Sequence, residues 1–132
     1  MRDRFLYLLL LLALVISTLH IAALEHAWYY HFPWFDLVPH FLGGLFIGAS
    51  ALWIAFFSNY PCVSLTWTRK NGAAITLSAI IFFGVGWEIF EVFAGIPIEK
   101  NYALDTTLDL CMDMLGAISA FGIFSKIADV KI

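Results

Sequence analysis

Three aspartates recur four apart in the stretch Asp105-Thr106-Thr107-Leu108-Asp109-Leu110-Cys111-Met112-Asp113-Met114-Leu115-Gly116. At 3.6 residues per turn this spacing forms one acidic ridge along a helix. The helix then continues as Ala117-Ile118-Ser119-Ala120-Phe121-Gly122-Ile123-Phe124, which is membrane sequence. A carboxylate at the bilayer centre costs about 2.5–3.5 kcal/mol on the insertion scale, so three on one face need protons, a counter-charge or a cation. Two further sets repeat the pattern: Asp36 and His40 lie four apart, and Glu88 and Glu91 three apart, each pair on one helix face. An oxygen-rich set with an imidazole suits Mg, Mn, Ca or non-haem Fe better than a soft-ligand metal. The candidate divalent-metal ligands are therefore His40, Glu88, Glu91, Asp105, Asp109 and Asp113. His40 is a ligand or general base, with Asp36 orienting it.

Composition places these residues in a membrane. Of 132 residues, 62% are hydrophobic and 13% charged, with a mean hydropathy of +0.88; soluble domains average about 45–50% apolar and about 25% charged. A formal net charge of −3 offers no basic face for nucleic acid. The expected fold is all-α: one domain over residues 1–132, an antiparallel four-helix bundle with spans at about 5–24, 36–57, 72–94 and 105–127. The first span is read as an uncleaved anchor, because its apolar stretch runs on to Leu24. Between the first two spans, Trp28, Tyr29, Tyr30, Phe32 and Trp34 read as an interfacial aromatic belt.

With four spans, Arg2, Arg4, Arg69, Lys70, Lys126 and Lys131 fall on one side and Lys100 alone on the other. This bias places both termini in the cytoplasm. Gly44-Leu45-Phe46-Ile47-Gly48 and Gly116-Ala117-Ile118-Ser119-Ala120 are small-xxx-small patterns, read as packing faces within one bundle rather than dimer faces. Cys62 in a loop and Cys111 in a span sit at different depths, which predicts two free thiols.

The polar positions share one depth. At 1.5 Å per residue, His40 and Asp109 lie roughly 6 Å inside their spans, Asp113 roughly 12 Å, and Glu88 roughly 10 Å from the outer end of its own. His20 lies near the outer end of the first span. The inner half offers no comparable cluster, and no Lys or Arg shares the outer one within a span. Protonated carboxyls or a divalent metal both remain open. Simpler roles stand beside these: helix caps for Asp36 and Asp105, outer water for Glu91, and interface or core positions for His20, His26 and His31. Asp109, Asp113, Glu88 and His40 are too deep for capping.

The ordered set Asp36-x3-His40-Phe41-Leu42-Gly43-Gly44, Trp87-Glu88-Ile89-Phe90-Glu91 and Tyr102-x2-Asp105-Thr106-x2-Asp109-x3-Asp113-x2-Gly116 resembles the small polytopic membrane proteins typified by YjdF, and more broadly VanZ-like proteins. The resemblance covers the second to fourth spans. It implies a multi-pass protein of a prokaryotic cytoplasmic (inner) membrane. YjdF-type members carry no assigned reaction, and VanZ-like members are associated with glycopeptide resistance.

Three functions fit these residues. The leading one is a metal-dependent hydrolase or transferase acting on a membrane lipid or lipid-linked substrate. The second is a proton-coupled carrier, which would need a homo-oligomer or mobile helices to complete a pathway, because the inner half of the spans offers no polar route. The third is a structural or accessory subunit in which the polar cluster clamps the bundle.

Overall fold

The computed structural model describes residues 2–58, 65–95 and 102–131; Cys62 and most of the turn between the third and fourth spans lie outside them. The described elements are α1 (Arg2–Glu25), α2 (Trp28–His31), a 3-10 turn (Pro33–Asp36), α3 (Leu37–Phe57), α4 (Arg69–Ala94) and α5 (Tyr102–Lys131). Four of the helical stretches are long and apolar enough to cross a membrane: Asp3–Glu25, Pro33–Phe57, Arg69–Ala94 and Tyr102–Asp129. They match the expected spans, with the last two helices starting about one turn earlier than expected.

Local chemistry sets the helix ends. Thr68, in extended conformation, caps α4 by accepting the Asn71 backbone N–H at 3.0 Å. Gly95 closes that helix in the left-handed region at φ 63°, where a Cβ would be strained. Ala27 also takes a left-handed turn, at φ 54°, and so folds α2 back beside the end of α1. Pro33 opens the 3-10 turn, where its missing N–H costs nothing. Phe35 then packs edge-on against Trp28 and Tyr29, with ring centroids 5.3 and 5.4 Å apart. The aromatic belt is therefore a packed cap over the entry to α3.

The spans run alternately up and down. Phe5 of α1 meets Phe57 and Phe124 near the ends of α3 and α5, with centroids at 6.2 and 5.7 Å. Trp67, just before α4, closes the same aromatic core against Phe56 and Phe124, both at 5.1 Å. Leu52 and Phe124 are fully buried there. At the rim of that end, the indole N–H of Trp67 donates to Asp129 Oδ1 at 3.1 Å. The Arg69 guanidinium donates twice to Asp129 Oδ2, at 3.0 and 2.6 Å. The start of α4 is thereby tied to the end of α5.

The tightest helix pair is α3 with α5, which run parallel, and small residues are the reason. Gly44 lies directly on the Asp113 backbone, and Gly116 on the Phe41 carbonyl and Leu45 nitrogen of α3. Gly48 rests against Ala117 and Ala120. Without a hydrophobic force between helices in lipid, such backbone approach is what holds them together. Both small-xxx-small faces are spent on each other, as expected for packing within one bundle. Large apolar side chains of α1 and α4, including Leu8, Leu11, Leu14, Phe82, Phe83 and Phe90, point outward. That is the surface a lipid-facing helix presents.

Candidate metal centre

The close α3–α5 crossing fixes the polar cluster. His40 sits in the first turn of α3, and Asp109 and Asp113 one turn apart on α5. All three side chains are buried, Asp109 to 2% exposure. Asp113 Oδ1 lies 3.4 Å from His40 Nδ1. Asp109 Oδ1 and Asp36 Oδ2 lie 3.8 and 4.0 Å from Nε2, on the opposite edge of the ring. These separations exceed the usual N–H···O distance of about 2.7–3.2 Å. The imidazole is thus caged by three carboxylates rather than tightly bonded to any of them.

One ligand atom each from Asp36, His40 and Asp109 lie within 4.8 Å of one another. Ligands at about 2.0–2.6 Å from one hard cation are never more than about 5 Å apart, so the set has the dimensions of a coordination sphere. Asp109 Oδ1 has no hydrogen-bond partner although it is buried. A polar atom in that state is costly in hydrocarbon.

The remaining expected residues gather around this centre. Glu88 is 6% exposed, with its Oε1 buried and unpartnered. Gly84, one turn before it, leaves room for Asp113: a Cβ there would stand 3.0 Å from Asp113 Oδ2. Glu91 lies within electrostatic range of Glu88, His40 and Asp36, and Asp105 within range of Asp36 and Asp109. Neither belongs to the compact three-atom set. Asp105 is inside the first turn of α5, so it is not an N-cap. Asp36 holds the cap position of α3 but makes no capping hydrogen bond; its carboxylate faces His40 instead. Among the described residues no Lys or Arg pairs with this cluster; the described Arg–Asp pair, Arg69–Asp129, is at the opposite end of the bundle.

Two participants have no signal in the residue pattern. The Tyr29 hydroxyl bonds His20 Nδ1 at 2.7 Å, and His20 is within electrostatic range of Asp36. Burial, with the Asp36 carboxylate adding to it, pushes the Tyr29 phenol up to about 12. In the sequence Tyr29 is one aromatic among many in the interfacial belt. Thr106 sits within the acidic ridge, yet only the fold reveals its hydroxyl as buried and unpartnered. Glu88 and Thr106 share the wall of a groove of about 280 Å³ between α4 and α5.

These features define a polytopic helical membrane protein with a buried Asp/His/Asp centre near one end of its spans. Residues 2–129 match the family described as "Predicted membrane protein (DUF2238)", and the chain belongs to that family. No curated protein and no solved structure gives a significant match.

Proposed function

We propose that the protein is a metal-dependent membrane enzyme, a hydrolase or transferase acting on a lipid or lipid-linked substrate. The observation that carries this reading is the convergence of Asp36, His40 and Asp109 ligand atoms within 4.8 Å, with Asp109 Oδ1 buried and unpartnered. In this reading His40 Nε2, Asp36 and Asp109 hold a divalent cation, Mg, Mn, Fe or Ca. Asp113 Oδ1, 3.4 Å from Nδ1, favours the tautomer protonated at Nδ1 by its charge, the place a carboxylate commonly takes beside a metal-bound histidine. Glu88, Glu91 and Asp105 supply further carboxylates around the open side. A bound divalent ion there supplies Lewis-acid polarisation or an activated water. The chain's own part is to hold Nε2 unprotonated, orient the ligands and keep bulk water from the deep side. Asp36, whose side chain is 38% exposed, is the member nearest to water. The basic residues at the opposite end of the spans, with the resemblance to YjdF-type proteins, support a site on the outer side of a prokaryotic cytoplasmic membrane.

A second reading is favoured by the same cage. One imidazole among three carboxylates, at the crossing of α3 and α5, would serve as a polar clamp for the bundle. Metal content measured by mass spectrometry on detergent-purified protein separates the two. The enzyme reading expects near-stoichiometric metal in wild type, lost in Asp109→Asn and His40→Gln while both stay folded. Folded wild type that holds no metal after equilibration with each of the four cations, together with an unfolding-prone Asp109→Asn, would replace it with the clamp.

A further inference from the structure

The glycine crossing fixes His40 on α3 and Asp109 and Asp113 on α5. It does not fix Asp36. That residue ends the 3-10 turn ahead of α3, makes no capping hydrogen bond and has a side chain 38% exposed. Part of the reason it does not cap is Pro39, which removes the N–H three residues on that a capping aspartate would take. The 4.0 Å approach of Asp36 to His40 Nε2 therefore depends on what holds the turn. Phe35, just before it, is buried and packs edge-on against Trp28 and Tyr29 of α2. Two links tie α2 to α1. One is Ala27, in a left-handed conformation that a residue with a side chain rarely takes unless its surroundings hold it. The other is the 2.7 Å bond between the Tyr29 hydroxyl and His20 Nδ1, whose rings also meet edge-on at 5.7 Å. Along residues 13–25 of α1, Ala23 is the one buried side chain, so little else seats that half of the helix. His20 and Tyr29 both lie within electrostatic range of Asp36.

We propose that His20 and Tyr29 are positioning residues for Asp36, so that metal loading of the centre is governed by how α1 is seated. With the His20–Tyr29 bond made, the phenol ring is fixed against Phe35, Phe35 fixes the turn, and the Asp36 carboxylate faces Nε2. With the bond broken, the ring loses its anchor on α1, the turn relaxes and Asp36 swings towards water. The set then falls from three ligands to His40 and Asp109. A hard cation is held less tightly when the site loses a carboxylate or its rigidity. The first span thus reaches the centre through one hydrogen bond and one aromatic contact. This deepens the metal reading, on which it rests for what Asp36 holds, by naming what regulates that same site.

The test is Mn²⁺ titration of the full chain in nanodiscs, with the unbound ion read by electron paramagnetic resonance. Beside it, Asp36 is labelled with a carbodiimide in the metal-free protein and the label is mapped by mass spectrometry. Tyr29→Phe keeps the ring on Phe35 and removes only the hydroxyl. It should weaken Mn²⁺ binding about threefold to tenfold, roughly what one hydrogen bond contributes, and raise labelling of Asp36 in a protein still folded by thermal melt. His20→Leu should do the same. His20→Asn, whose side-chain amide can meet the hydroxyl from the position of Nδ1, should recover most of the loss. In an Asp36→Asn background Tyr29→Phe should have no further effect on Mn²⁺ binding, because the residue it positions is gone. An equal factor in both backgrounds would make the pair a general support of the fold and overturn the proposal. So would wild-type affinity and wild-type labelling in both Tyr29→Phe and His20→Leu; Mn²⁺ bound throughout would then leave the metal reading standing. Wild type that takes up no Mn²⁺, yet shows the rise in Asp36 labelling and its recovery in His20→Asn, upholds the positioning and counts against the metal reading alone.

Discussion

Adding one methyl group at Gly44 should dismantle the centre without touching any polar residue. A Cβ at Gly44 would meet Asp113 C and Cα at 2.6 and 2.7 Å. Ordinary carbon contacts are about 3.5–4.0 Å, so α3 and α5 must part by about 1 Å. Overpacking of this kind costs about 1–3 kcal/mol. The damage to the site is larger in proportion. His40 is held at 3.4 and 3.8 Å from Asp113 and Asp109 across this same crossing, whereas metal coordination tolerates only about ±0.2 Å. On the metal reading, Gly44→Ala should therefore lower metal affinity about 10–100-fold, the range seen when supporting residues of metal sites are lost. Gly43→Ala is the matched control: it lies on the same helix, one residue away, and its Cβ would meet nothing within 4 Å. Gly48→Ala, with its nearest contacts at 3.1–3.3 Å, should fall between them. Unfolding in bicelles and metal content would be measured on all three. If Gly44→Ala and Gly43→Ala unfold alike and load the same metal, the glycine crossing does not set the site.

At the opposite end, Phe124 is fully buried among Phe5, Phe56, Phe57 and Trp67. Phe124→Ala should cost about 3 kcal/mol of stability by lost packing and a cavity, yet leave metal content unchanged, because eleven residues of helix put it roughly 16 Å from Asp113. Tyr29 should give a phenolate absorbance step near pH 12 that Tyr29→Phe removes. Because its folded pKa is raised, the neutral phenol's contribution to folding is intact below about pH 10 and is lost as the pH rises towards 12; a wild type without that step would contradict the half-buried position beside Asp36.

Much of this architecture is legible in the residue order, for reasons that can be named. Spans are readable because lipid requires every backbone group to be satisfied within its own helix, which forces long apolar runs. The depth of His40, Glu88, Asp109 and Asp113 follows from those runs and the fixed rise of 1.5 Å per residue. Rotation about each helix axis is a different matter. Spacing shows that Asp109 and Asp113 share a face of α5, but not that this face meets His40 and Gly44 of α3. Gly44 and Gly116 carry that information, and a small-xxx-small pattern alone does not say which partner it accepts. Asp36 and Asp105 have the same ambiguity at shorter range. Both sit where a cap is expected, and only the packed helices show Asp36 facing His40 and Asp105 already inside its helix.

The same logic explains why the unforeseen residues are Tyr29 and Thr106. Neither departs from its local rule in sequence: a tyrosine belongs in an interfacial belt, and a threonine in a span is expected to bond its own backbone. Thr107 obeys that rule and Thr106 breaks it, although the two are neighbours of identical type. Their difference lies in the helix face each presents. Thr107 is exposed, while Thr106 turns towards α4 and Glu88. Two glycine contacts set the α3–α5 crossing, and Gly84 sets how closely α4 approaches Asp113. The centre and the groove therefore share one mechanical origin, the close packing of α3, α4 and α5 around Asp113. A perturbation of that packing should be felt in both places.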